Sequence, residues 1–225
     1  MKWRALATDF DGTIATDGMV DAATQEALRG LRESGLALIL VTGRVLRDFE
    51  GSPGVLQLFD AVVAENGAVA YDPAAGSTRL LANAPPAALV DRLATAGVPL
   101  ALGDVILSTI EPYEVTVLET IKDLALEHQV IFNKGAVMVL PAGVNKATGL
   151  AFVLREFGFA PGDVIGVGDA ENDAAFLDAC GFSVAVANAL PALRERAAHV
   201  TRSNAGAGVA EFAKALLAGE IATGS

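Results

Sequence analysis

The sequence predicts an α/β fold, a central parallel sheet layered with helices and interrupted by a smaller inserted α+β unit. Three observations predict it. Short apolar runs alternate with amphipathic segments over residues 5–64 and again over 146–217, as βα units require. The run at 36–41 is apolar at every position, as expected of a central strand covered on both faces. Between the two alternating stretches, strands and helices follow one another without strict alternation. A length of 225 residues suits one large α/β domain or a medium domain carrying an insert.

Each element has its own signal. Residues 5–8 read as the first strand, ending at Asp9. Residues 24–34 read as a helix, with Ala27, Leu28 and Leu31 on one face, Arg29, Arg32 and Glu33 on the other, and Gly35 as its stop. The second strand is 36–41. The third is 59–64, closed by the turn signal Glu65-Asn66-Gly67. In the insert, 68–71 reads as a strand turning at Asp72-Pro73, with a hairpin return near 78–81. Residues 85–96 read as a helix whose Pro pair suits the first turn. Residues 105–109 form a strand, 114–127 a helix, and 130–133 with 136–140 a hairpin. Alternation then resumes with helices at 146–157, 171–178, 190–197 and 208–217, and strands at 164–167, 183–187 and 199–201. The predicted domains are a discontinuous core of residues 1–67 and 144–225 and an insert of 68–143. The tail at 221–225 is expected to fray.

Composition narrows the function. The chain has 16 basic and 27 acidic residues, a net charge of −11, and 52% of its residues are hydrophobic. That much apolar surface demands a packed core and excludes intrinsic disorder. The acidic excess argues against a protein that coats nucleic acid. No apolar run approaches the roughly 20 residues that span a bilayer, and the start, Met1-Lys2-Trp3-Arg4, carries no secretion signal. Cys180 is the only cysteine, so no intrachain disulfide forms. A cytoplasmic protein without nucleic-acid or membrane partners is expected; no feature of the sequence sets an oligomeric state.

Four signals carry chemistry. Asp9-Phe10-Asp11-Gly12-Thr13 ends the first strand, and in extended chain the two carboxylates fall on one side; its bland alternative is a surface turn. Gly166-Val167-Gly168-Asp169-Ala170-Glu171-Asn172-Asp173 also follows an apolar strand, with Asp173 about one helical turn beyond Asp169; a plain helix start explains Glu171 but not the gathering of acids. In Val41-Thr42-Gly43-Arg44, Thr42 reads either as an ordinary helix N-cap or, with the backbone N–H groups from Gly43 onward, as a small anion site. Lys146 opens a helix, where the dipole disfavours a cation, so it points to a function more than a solvated surface lysine would. All four lie at carboxyl ends of predicted parallel strands or at adjoining helix starts, where open α/β sheets bind ligands. Four carboxylates without His or Cys suit Mg2+, which bridges phosphate oxygens.

These motifs, in this order, resemble the haloacid dehalogenase superfamily of aspartyl-phosphate phosphohydrolases across nearly the whole chain. The position of the insert and Glu65-Asn66-Gly67 before it look like the type IIB (Cof-like) branch, and the length and compact insert are most similar to its small sucrose-phosphatase-like and archaeal phosphoglycolate phosphatase members. The segments Val184-Ala185-Val186-Ala187-Asn188-Ala189 and Thr201-Arg202-Ser203-Asn204 resemble that branch too. The resemblance implies a Rossmann-like core with the insert as a cap. It implies Asp9 as nucleophile, Asp11 as general acid and then base, and Thr42, Gly43 and Lys146 as phosphate-binding residues. It further implies Mg2+ held by Asp9, the backbone of Asp11 and Asp169, with Asp173 as ligand or support. Arg44, Asn66, Lys134 and Asn172 are candidate substrate contacts. Lys134 also makes good turn chemistry in Asn133-Lys134-Gly135, and Arg44 and Arg47 either add positive potential at the mouth or are solvated. His128, placed in a helix, and His199, in a short strand, read as structural, and Cys180 as an inert core thiol.

The implied activity is Mg2+-dependent hydrolysis of a small phosphorylated metabolite, phosphoglycolate or a sugar phosphate. The insert carries four basic and eight acidic residues, which argues against a highly anionic polymer as substrate. A phosphotransferase or mutase on a sugar phosphate, and a phosphorylatable signalling domain, are the alternatives.

Overall fold

The computed structural model describes residues 3–221; Met1, Lys2 and the tail from 222 onward, including most of the stretch expected to fray, lie outside them. Strands β1 (Ala5–Thr8), β2 (Ala37–Val41) and β3 (Ala61–Ala64) alternate with helices α1 (Ala22–Glu33) and α2 (Pro53–Leu56). An antiparallel hairpin, β4 (Val69–Asp72) and β5 (Ser77–Leu80), follows. The cap then contributes α3 (Ala87–Thr95), β6 (Ala101–Leu102), β7 (Leu107–Ile110), α4 (Glu114–Asp123), β8 (His128–Asn133) and β9 (Ala136–Pro141). The core resumes with α5 (Lys146–Phe157), β10 (Val164–Gly168), α6 (Ala174–Ala179), β11 (Phe182–Ala185), α7 (Pro191–Arg196), β12 (His199–Val200) and α8 (Ala205–Leu217).

The strands form two sheets. The larger has the order β12-β11-β10-β1-β2-β3-β4-β5 and the smaller β6-β7-β9-β8. Pairing is parallel from β12 to β3 and antiparallel for β4 and β5. The central strands β1, β3 and β10 are buried at every position, which is why their sequences read as unbroken apolar runs. α1 starts earlier than the apolar pattern alone suggests, because the Asp21 carboxylate accepts the Thr24 N–H at 2.7 Å and caps it. Among the described residues no helix is long and apolar enough to cross a membrane.

Four local expectations are corrected. The hairpin β4–β5, expected to open the insert at residue 68, pairs with β3 and extends the large sheet. No α-helix begins at Thr42: the chain bends and then makes a single 3-10 turn at Leu46–Phe49, whose start Asp48 caps by accepting the Val45 N–H. The helix expected over 114–127 ends at Asp123, and Ala125 turns into the left-handed region at φ 49°. His128 therefore stands in β8, not in a helix. The segment expected as a helix from 171 begins with a 3-10 turn, Glu171–Asp173, before α6.

The cap has its own small core, in which Leu89 and Leu93 of α3 and Val117 and Ile121 of α4 pack on Leu107, Val137 and Val139. Its opposite face does not stand clear of the main core. Val105, Ile106, Met138 and Leu140 join the large apolar cluster of the main core. The cap is thus seated on the carboxyl edge of the core sheet.

Candidate active site

β10, β1 and β2 are neighbours in the large sheet, so the residues that follow them meet at one edge: Asp169, Asp9 and Thr42. Lys146, the first residue of α5, is only 1% exposed there. Its Nζ donates to Asp9 Oδ1 at 2.5 Å and to Asp173 Oδ1 at 2.6 Å. The other oxygen of Asp173 accepts the backbone N–H groups of Asp169 and Ala170 at 2.8 and 2.9 Å. Asp173 therefore orients both the lysine and the loop that bears Asp169. Thr13 Oγ1 lies 3.1 Å from Asp9 Oδ2 and 3.1 Å from Asp169 Oδ1, tying the two carboxylates together.

Lys146 reaches this position because α5 begins unusually close to the Glu65–Gly67 turn. Gly67 has φ +103°, and a Cβ there would stand 1.9 Å from Asn145 O. Only glycine permits that approach. Asn145 caps the helix, its Oδ1 accepting the Thr148 N–H at 3.1 Å, and this fixes Lys146 pointing inward.

One ammonium between two carboxylates leaves excess negative charge in a dry site. Burial, and then the charge of Asp173, push the Asp9 carboxyl up to about 7 in spite of Lys146. Burial would lower the Lys146 ammonium, but Asp173 and Asp9 outweigh it and hold it above its ordinary value. Asp169 is raised as well, by burial, although Lys134 opposes the shift. The site is short of positive charge. One oxygen each from Asp9, Asp169 and Asp173 lies within 4.8 Å of the other two. This all-oxygen donor set fits a hard divalent cation.

The substrate candidates divide. Lys134, at φ 49° on the β8–β9 hairpin tip, makes the expected turn and also reaches down. Its half-exposed ammonium donates to Asp169 Oδ2 at 2.9 Å and to the backbone oxygen of Asp11 at 3.2 Å. Arg44 is not free in solvent: its guanidinium pairs in two-pronged fashion with Asp11 at 2.7 and 2.8 Å and covers the Phe10 ring, 4.9 Å from its centroid. Arg47 is exposed. Thr42 is fully buried, its hydroxyl accepting the Arg44 N–H at 3.1 Å. Gly43 and Arg44 line a cleft of about 240 Å3 whose far wall is the cap, through Leu102, Ile106 and Met138. Asn66 is buried, accepts from Asn172 Nδ2 at 2.9 Å and donates to Met138 Sδ at 2.9 Å. Asn66 and Asn172 thus join core loops and cap.

Three participants escaped the sequence reading. Thr13 stood inside the first motif as a spacer, though its hydroxyl bridges the carboxylates. Asn188 donates to Gly12 O at 2.8 Å and accepts the Ala205 N–H at 2.7 Å, steadying the first loop. Glu65 was read as part of a turn and of the segment that resembles the type IIB branch, with no role of its own. Cys180 is half-buried, and burial pushes its thiol up to about 12. His128 is held below its ordinary pKa by burial.

A Rossmann-like sheet whose edge gathers carboxylates around a buried lysine, beneath an α+β cap, defines the class of protein. Residues 6–96 and 104–212 match the family of haloacid dehalogenase-like hydrolases. The chain belongs to that family, and it is an enzyme, a phosphatase of the haloacid dehalogenase type. Among its relatives is a phosphoglycolate phosphatase of Methanothermobacter thermautotrophicus, 34% identical over 218 residues, covering 92% of this chain and 96% of the relative. Among solved structures, a haloacid dehalogenase-like hydrolase from Bacteroides thetaiotaomicron superimposes with a TM-score of 0.81 at 17% identity, covering 95% of this chain and 99% of the other. A subclass IIB sugar phosphatase of the same superfamily gives 0.77 at 19% identity over 95% and 98% of the two chains. These structures share the fold.

Proposed function

We propose that this protein hydrolyses phosphoglycolate, or a similarly small anionic phosphomonoester, through a phosphoryl-aspartate formed on Asp9. The observation that carries the reading is the buried Lys146 bridge to Asp9 and Asp173 at 2.5 and 2.6 Å, which points the Asp9 carboxylate at the sheet edge beside the remaining acids. The relatives named as phosphoglycolate phosphatases support the substrate class. Residues 81–143 are the cap in this reading, and 1–80 with 144–225 the core.

Asp9, Asp169 and the backbone oxygen of Asp11 would hold Mg2+, with Asp173, both of whose oxygens are engaged, orienting them. That cation would screen the phosphoryl dianion from the acidic site. An Asp9 carboxylate oxygen attacks phosphorus and the ester P–O bond breaks, the leaving oxygen taking a proton from Asp11. Water then attacks the phosphoryl group as Asp11 takes back a proton, and cleavage of the bond to Asp9 frees inorganic phosphate. Lys146 offsets the charge of the transferring oxygens, and the Thr42 hydroxyl donates a hydrogen bond to them. Arg44 sets the direction of the Asp11 carboxyl, and Lys134 takes the anionic end of the substrate.

The test is phosphate release from a metabolite panel with and without Mg2+, followed by two variants. Asp9→Asn removes the nucleophile and should abolish turnover. Asp11→Asn should cost about 10²–10⁴-fold yet accumulate a hydroxylamine-labile adduct on Asp9 from an aryl phosphate. Two equally dead variants without adduct would sink the covalent route. Efficient passage of the phosphoryl group to a sugar in the unmodified protein would establish a mutase instead.

A further inference from the structure

Glu65 is 1% exposed and has no part in the chemistry proposed above. Its carboxylate accepts three backbone N–H groups from the cap: Asp104 at 2.9 Å, and Val105 and Ile106 at 2.8 Å each. The approach is so close that a Cβ on Gly103 would stand 2.5 Å from that carboxylate. The backbone of the same residue faces the other way. The Glu65 N–H donates to Arg44 O, and the Asn66 N–H to Thr42 O, each at 3.0 Å. Glu65 and Asn66 both hold left-handed φ values, 52° and 53°. Such values persist in non-glycine residues where the surroundings over-determine them.

We infer that Glu65 is a positioning residue that pins cap residues 104–106 to the Thr42–Arg44 loop and so sets the wall of the cleft beside the phosphoryl site. A buried carboxylate is costly to desolvate unless hydrogen bonds replace water, and here the bonds that replace it come from the cap. Swinging the cap away at this point would strip three charge-assisted bonds from a buried charge at once. Residues 104–106 pass directly into β7, and Ile106 with Leu102 forms the wall opposite Gly43 and Arg44. Glu65 therefore holds that wall at a fixed distance from Gly43 and Arg44. The consequence for specificity rests on the phosphatase reading; the clamp itself does not.

The experiment compares wild-type protein with Glu65→Gln, in which the amide NH2 meets backbone N–H groups it cannot accept from, and with Gly103→Ala, which disturbs the same contact without removing the charge. Hydrogen–deuterium exchange is read segment by segment, and kcat/KM is measured for phosphoglycolate and for 4-nitrophenyl phosphate with Mg2+. In both variants, amides 104–106 should exchange about 10- to 100-fold faster while β1, β2 and β10 keep their protection. The preference for phosphoglycolate over the aryl phosphate should fall about tenfold, the magnitude of one lost hydrogen bond in the cleft wall. Unchanged exchange at 104–106 overturns the clamp. Faster exchange spread equally through the core strands overturns it too, by reducing Glu65 to a general stabiliser. Local loosening with an unaltered substrate preference overturns the role in positioning. If wild-type protein turns over neither substrate, the phosphatase reading fails while the exchange result still decides the clamp.

Discussion

The excess negative charge at the sheet edge makes stability depend on pH in a direction opposite to that of ordinary acidic groups. Asp9 titrates at about 7 in the folded protein against 3.8 for an ordinary aspartate, chiefly through burial and the neighbouring Asp173. Between those values the folded state holds a proton that the unfolded chain has released. Its stabilising effect is complete below the unfolded pKa and is lost as pH rises through the folded one. From about pH 5 to about pH 8 the metal-free protein should lose about 2–3 kcal/mol from this group, at about 1.4 kcal/mol per pH unit. Asp9→Asn imitates the protonated acid, so the comparison isolates the effect from all other titrations. Urea denaturation in the presence of a chelator, for wild type and Asp9→Asn across that range, measures it. The stability difference between the two should move steadily in favour of the variant as pH rises. Adding Mg2+ at about a hundredfold over its Kd should then restore about 2.7 kcal/mol to the wild type at alkaline pH, and much less to Asp9→Asn. Parallel pH profiles for the two proteins would refute the reasoning.

Three further outcomes follow from the same geometry. Lys146→Met leaves Asp9 and Asp173 facing each other in a dry site and should cost about 3–5 kcal/mol at neutral pH, a loss that shrinks on acidification as the carboxylates take up protons; thermal denaturation at two pH values reads both effects. Lys134→Ala frees Asp169 Oδ2 and the Asp11 backbone oxygen from a competing cation, so calorimetry should show Mg2+ binding severalfold tighter, on the order of 1 kcal/mol for a half-exposed pair, and weaker or unchanged binding would show no competition. Gly67→Ala forces a Cβ against Asn145 O from a positive φ and should lower stability by at least about 3 kcal/mol, measured as a shift in the urea midpoint.

How much of this was legible in the sequence depended on whether a feature is local. Asp9, Asp169 and Lys146 were legible because each sits at the end of a run whose apolar pattern fixes the strand or helix, and because ligands collect at the carboxyl edge of such sheets. The β4–β5 hairpin was read as a hairpin of the insert, and it pairs with β3 in the large sheet. Its alternation is the same whether it pairs with β3 or with the cap, and pairing partners lie outside any local window. Thr42 was expected to start a helix from its capping chemistry alone, but Val45 is extended and Asp48 closes a 3-10 turn instead. Lys134 was legible as a turn residue and a candidate substrate contact, but not its ties to Asp11 and Asp169, which lie 123 and 35 positions away. Glu65 was the most hidden. Its signal, a carboxylate placed before Asn-Gly, is that of an exposed turn, and its true partners are backbone amides some 40 residues on, which any sequence supplies. What marks it as more than a turn is burial, and burial is decided by the cap docking over it. The carboxylate cluster at the sheet edge follows from the periodicity of the core, whereas the fit between cap and core is written in backbone contacts that side-chain patterns do not record.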